Sequence, residues 1–205
     1  MTEKLISAFI TLFVVIDPPG LGPIFIGLTK GLPAAVKRKI GWEASVIAFF
    51  VLAGSALFGD ALLEKLGISL SAFRIAGGLL LFAIAFEMVF ERRVERKTDQ
   101  SGDSGGAASI AAFPLAIPLM AGPGAITAMV LLAGRMNGDW RGLSLLMVIL
   151  AIILGSCVLL FHLSTQLERL LGPQGQTVLG RLLGVLLAAL AVQYVADGIL
   201  ALSGR

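Results

Sequence analysis

Six apolar runs, set apart by short charged stretches, dominate this chain. They cover residues 5–29, 40–59, 68–90, 110–133, 142–162 and 178–200. A bilayer-spanning helix takes about 20 mainly apolar residues, so each run predicts one crossing. Between them lie a basic loop over residues 30–39, turned at Pro33, and shorter polar stretches at 60–65, 135–141 and 168–176. Residues 91–97 are densely charged and residues 98–109 are rich in Gly and Ser. That composition buries no core, and it predicts a flexible linker over 91–109. The pattern gives an all-α polytopic membrane protein with a single transmembrane domain, one half spanning residues 1–90 and the other residues 110–205.

Two of the runs are interrupted in the same way. The first contains Ile16-Asp17-Pro18-Pro19-Gly20-Leu21-Gly22-Pro23, and the fourth contains Ala121-Gly122-Pro123-Gly124-Ala125-Ile126-Thr127. Proline removes a backbone donor and glycine loosens a helix. Inside a bilayer, freed backbone groups are tolerated only against protein or a water-filled cavity. Spans 1 and 4 are therefore expected to be broken helices.

The interruptions also align the two halves. Setting Pro19-Gly20 over Pro123-Gly124 superposes spans 1 and 4. At nearly the same offset, Arg74-Ile75-Ala76-Gly77 falls over Arg181-Leu182-Leu183-Gly184 in spans 3 and 6. A repeat of three crossings is odd-numbered, so its second copy enters from the opposite face. The expectation is a 3+3 inverted-topology repeat, an architecture common among secondary transporters.

Composition adds to this picture. Hydrophobic residues make up 57% of the chain and charged ones 14%, with a mean hydropathy of +0.94. Soluble domains carry about 25% charge. The formal net charge of +3 comes from basic loops and gives no reason to expect a nucleic-acid partner; the expected surroundings are the lipid bilayer. One side of the predicted topology carries Lys30, Lys37, Arg38, Lys39, Arg92, Arg93, Arg96, Lys97, Arg169 and Arg181. The other carries Lys4, Lys65, Arg74, Arg135, Arg141 and Arg205. The positive-inside rule makes the richer side cytoplasmic, with both termini outside and the first span retained as an inner-membrane anchor.

The lone cysteine, Cys157, excludes an intramolecular disulfide framework and a cysteine metal cluster. His162, the single histidine, stands five positions later and off the same helical face. No metal, nucleotide or hydrolase motif is present, so neither cofactor nor enzymatic activity is expected. The chemistry falls to the breaks. Half-helix N-termini carry free N–H groups and partial positive charge, while unwound carbonyls carry partial negative charge. A small zwitterion suits such a site, its carboxylate on the N-termini and its ammonium on carbonyls or on Asp17. The candidate binding residues are Asp17, Pro19, Gly20, Leu21, Gly22, Gly122, Pro123, Gly124, Ala125 and Thr127. Asp17 has no acidic counterpart, since Ala121 holds the aligned position. An intramembrane acid points to function, and Asp17 is the candidate carrier of a coupling proton. Capping the half-helix behind it is the competing structural role. Glu87 and Asp197 fall near span ends and read as interfacial; Gln193 and Tyr194 fit either a cavity or an interfacial belt.

The two motifs, Asp17-Pro18-Pro19-Gly20 with Pro23-Ile24-Phe25 and the longer run from Pro114 through Thr127, resemble the MarC family of bacterial and archaeal inner-membrane proteins. The resemblance extends to Arg74 through Gly78 and to Gly184 through Gln193. It implies a six-helix fold similar to LysE-type transporters, and proton-coupled movement of small neutral amino acids such as glycine and alanine. The family pattern commonly has asparagine where this chain has Leu21. The rival readings are a non-transporting sensor or assembly protein of a stress response, and a pore. The sequence leaves oligomeric state and transport direction open.

The topology gives a direct expectation in a Cys157→Ser background. A membrane-impermeant maleimide should label Lys65→Cys in intact cells, and Lys30→Cys only after permeabilisation. The reverse pattern would invert the assigned orientation.

Overall fold

The computed structural model describes residues 2–90, 110–136 and 138–204, and every regular element among them is helical. The proposed linker, residues 91–109, lies outside the described residues. In chain order the elements are α1 (Thr2–Ile16), α2 (Pro18–Leu28), α3 (Ala34–Lys65), α4 (Leu70–Val89), α5 (Ala111–Met120), α6 (Pro123–Gly134) and α7 (Trp140–Leu202). Together α1 and α2 make one candidate span, Glu3–Leu28. The pair α5 and α6 is bent by 57° at its break and makes another. Among the described residues, five helices are long and apolar enough to cross a membrane, or six with the bent pair.

Helix α7 provides two of these spans, Trp140–Leu163 and Thr177–Leu202. Asp139 caps its start by accepting from the Arg141 N–H at 3.1 Å. Arg135, just before that cap, reaches Asp197 near the helix's other end at 3.6 Å. A straight helix would put Trp140 and Asp197 about 85 Å apart, so the two arms of α7 run antiparallel.

The remaining contacts sort the span ends onto two faces. On one, Lys4 Nζ donates to the Arg135 carbonyl at 2.9 Å, Gly134 lies against Leu70, and Gly198 lies against Ser71 and Ile75. On the other, Phe25 stacks on Phe161 with centroids 4.4 Å apart, Gly41 abuts Phe161, and Gly184 abuts Met88 and Val89. Successive spans therefore alternate in direction, as the run lengths predict. Between α3 and α4 the turn needs Gly67, at φ 69°. Ser69 then caps α4 by accepting from the Ala72 N–H at 3.1 Å.

The two interrupted spans form the centre. In the most apolar window of Glu3–Leu28, 56% of residues are buried, against 22–28% for α3, α4 and the arms of α7. In α6, nearly every residue from Gly124 to Ala133 is buried. The outer helices present Phe50, Phe58, Leu62, Leu182 and Leu186 outward, an apolar surface of the kind that meets a membrane. Inward they pack through small residues, as membrane helices do. Gly78 lies against the Ala191 carbonyl and Val195, and Gly77 leaves the notch that receives the Thr127 methyl.

That notch generates a prediction. A side chain at Gly77 overlaps Thr127, whereas one at Gly54 meets nothing within 4 Å. Gly77→Leu should lower stability in detergent by about 1–3 kcal/mol, and Gly54→Ala should leave the thermal unfolding midpoint in place. Equal behaviour of the two would contradict the packing of α4 on α6.

Candidate functional site

At the first break, Asp17 belongs to both half-helices. Its N–H donates to the Phe13 carbonyl at 2.9 Å, closing α1, and its carbonyl accepts from the Leu21 N–H at 3.1 Å, opening α2. Among the described residues it is the one non-glycine at positive φ (55°, ψ 62°), a conformation aspartate tolerates better than most residues. Its carboxylate turns back over α2 and accepts from the Gly20 N–H at 3.2 Å. A Cβ on Gly20 would sit on that carboxylate, so the glycine makes room for the cap. Pro18 and Pro19 have no N–H, and the Gly20 N–H is diverted to Asp17. The carbonyls of Val14, Val15 and Ile16 thereby lose their helical donors. The first break is rich in acceptors, and its acid is 5% exposed.

This changes one expectation. The α2 N-terminus offers no free donor to a carboxylate, because prolines and the Asp17 cap consume them all. The second break is the reverse. There Gly122 (φ −79°, ψ 172°) precedes Pro123, and no side chain caps the helix. The Ile126 N–H already bonds the Gly122 carbonyl at 3.0 Å, while the Gly124 and Ala125 N–H groups sit in the unpaired first turn of α6. The chain before it is irregular because Phe113 and Ile117 each precede a proline, which forces them to extended backbone (φ −141° and −127°).

Register sets the breaks side by side. Spans 1 and 4 are antiparallel, with Lys4 opposite Arg135 and Val15 against Gly124. Two residues further along each, Asp17 comes level with Gly122. A donor-rich break and an acceptor-rich one thus come level with each other within the buried core.

Space lies on the α2 side of this point. Gly22 is buried, yet a Cβ there would meet nothing within 4 Å. Beyond it, a cavity of about 550 Å³ opens on the face that carries Lys37, Arg38 and His162, and its lining includes Phe25, Thr29 and Phe161. The Phe25 and Phe161 rings, stacked 18° from parallel, form part of the wall of this vestibule. Cys157, one turn from Phe161, is fully buried.

The other predicted residues are distributed as follows. Pro19 and Pro123 hold the N1/N2 positions of their half-helices. Leu21 is fully buried in the apolar core and contributes packing. Gly122 is held tight, since a Cβ would meet the Pro118 carbonyl at 2.5 Å, and Gly124 is enclosed by Leu81, Ile84 and Val15. Ala125 and Thr127 are buried, and the Thr127 hydroxyl makes no hydrogen bond among the described residues.

A second polar group of residues, toward the Lys4–Arg135 face, was hidden from sequence reasoning because its members come from four spans. Tyr194 is 2% exposed, not interfacial, with the Arg135 guanidinium 5.1 Å over its ring. Asp197, expected at the interface, pairs with Arg135 and accepts from Gln193 Nε2 at 2.6 Å. Thr11 and Arg74 complete the group. The signal available in sequence was the arginine inside a predicted span.

The cap predicts a contrast at Asp17. Asparagine tolerates positive φ and still accepts from Gly20; alanine does neither. Asp17→Ala should lose about 2 kcal/mol of stability from cap and backbone together, and Asp17→Asn should unfold near the wild-type temperature. If both variants lose stability equally, the carboxylate charge and not the cap holds the break.

Comparison with known proteins agrees with this architecture. A family model described as MarC family integral membrane protein matches residues 2–203. The chain is 40% identical over 195 residues to an Archaeoglobus fulgidus protein named as a UPF0056 membrane protein, covering 94% of this chain and 91% of that one. It is 32% identical to the UPF0056 membrane protein YvbG of Bacillus subtilis, covering 97% and 95% of the two chains. It is 36% identical to YhcE of Escherichia coli, likewise named as a UPF0056 membrane protein, covering 93% and 89%. No solved structure matches the chain. A model match over almost the whole length, with relatives this similar end to end, means that the chain belongs to the MarC family of integral membrane proteins.

Proposed function

We propose that this protein is a secondary transporter of small neutral amino acids of the glycine and alanine type, coupled to protons through Asp17. The observation that carries the reading is the level pairing of an acceptor-rich break with a donor-rich one between the two central spans. A zwitterion fits that polarity. Its ammonium lies toward Asp17 and the carbonyls of Val14, Val15 and Ile16; its carboxylate lies toward the N–H groups of Gly124 and Ala125. The open space beside Gly22 lets backbone approach a small ligand, and the Thr127 hydroxyl is available to it. Protonation of Asp17 would remove the ammonium's counter-charge, so proton and substrate occupancy become linked at one atom group.

The architecture in this reading is a 3+3 inverted repeat of the LysE type. Its support is the break-on-break register of spans 1 and 4, and the antiparallel packing of spans 3 and 6. In that second pair Gly78 lies against Ala191 and Val195, and Gly184 lies against Ala85 and Met88. The vestibule would face the cytoplasm of an inner-membrane protein with both termini outside. Export by antiport and import by symport would use the same residues.

The test is counterflow of labelled glycine or alanine in proteoliposomes, with and without a pH gradient. Saturable counterflow is expected, driven by the gradient in the wild type and insensitive to it in Asp17→Asn; Gly124→Leu should lose at least tenfold. Flux without saturation would make the protein a pore. No flux would leave a non-transporting membrane protein.

A further inference from the structure

The residues that the breaks do not use gather on the opposite side from the vestibule. Thr11 on α1 and Tyr194 on the second arm of α7 are 0% and 2% exposed, and their hydroxyls are neighbours. The two hydroxyls lie within reach of each other, but neither meets hydrogen-bond geometry with any partner among the described residues. Arg74 on α4 lies near enough to act on Tyr194 electrostatically; its Nε is buried without a partner, and it forms no ion pair among the described residues. Such groups are uncommon, because each buried unsatisfied polar atom costs about 1–3 kcal/mol. Three of them in one place ask for a common ligand.

The charge balance says which kind. Arg135 spends its charge on Asp197, which Gln193 also holds. Arg74 is paired with no carboxylate among the described residues. What the patch offers is a guanidinium N–H and two hydroxyls, each buried without a partner. Two guanidiniums, Arg74 and Arg135, stand against the one carboxylate of Asp197, so the charge balance favours an anion over a cation. Guanidinium with hydroxyl donors is the chemistry that recognises a carboxylate.

We propose that Arg74, Thr11 and Tyr194 form a second, outer carboxylate site. Resting on the transporter reading, it receives the carboxylate of the amino acid on the side away from the vestibule. Thr11 precedes Asp17 by six residues, about 9 Å along a helix, so the outer site and the breaks are one short step apart. Deleting either hydroxyl removes an unpaired polar group, and Thr11→Val and Tyr194→Phe should therefore fold as well as the wild type.

The experiment is calorimetry on the purified full chain in detergent, titrated with sodium acetate, sodium chloride and glycinamide. The wild type should bind acetate in preference to chloride and should not take up glycinamide at this site. Tyr194→Phe and Arg74→Gln should each weaken acetate at least tenfold, with Arg74→Lys between them and the wild type. Acetate binding unchanged in these variants would overturn the site. So would chloride binding as tightly as acetate, or no acetate binding in a protein that performs glycine counterflow. If Arg74-dependent acetate binding appears without any counterflow, the site stands as a carboxylate site and the transporter reading falls.

Discussion

Two adjacent prolines inside a membrane span remove two backbone donors that lipid cannot replace, and most of this structure is arranged around that deficit. Pro18 and Pro19 stop the hydrogen-bond ladder of the first span. Asp17 restarts it by adopting a left-handed conformation, closing one half-helix with its N–H, opening the next with its carbonyl, and capping Gly20 with its carboxylate. A break of this kind must be kept from lipid, and the span that carries it is far more buried than α3, α4 or either arm of α7. The central place of span 1 follows from its chemistry.

The second break answers the first. It has no acid and no side-chain cap, so its first-turn N–H groups keep the character that Asp17 removes from α2. Antiparallel register lays one against the other, and the outer spans hold that register through close glycine contacts: Gly59 on Val130, Gly77 on Thr127, Gly134 on Leu70. On the face of Lys37, Arg38 and His162 a vestibule is lined by Phe25 and Phe161. On the opposite side lie an ion pair, Arg135 with Asp197, and a group of buried hydroxyls. The two sides of the protein therefore differ in kind.

Much of this was legible in the chain. Apolar runs of spanning length gave the crossings and their alternation. Proline and glycine placed at membrane depth gave both breaks, because those residues leave few alternatives for the backbone. Asp17 was legible as an acid out of place, and its capping role followed from its position before a helix start. Less could be read where geometry alone decides. Nothing in Ala121-Gly122-Pro123 announces that its donors stay free while those after Asp17 do not; that asymmetry depends on where one carboxylate folds back. Leu21 read as a site residue by adjacency, and its side chain is fully buried in the apolar core. Thr11, Arg74, Arg135 and Tyr194 are far apart in sequence, and only the packing of four spans makes them neighbours. Asp197 looked interfacial because it lies near a span end, a position that says nothing about the arginine it meets.

The central claim is that Asp17 faces the ligand as well as capping its helix. Substrate-induced difference infrared spectroscopy tests it most directly, because a carboxyl group changes its absorption when its proton or its partner changes. With glycine added to reconstituted protein, the account predicts a carboxyl difference band in the wild type that is absent from Asp17→Asn. An identical difference spectrum in both proteins would contradict it.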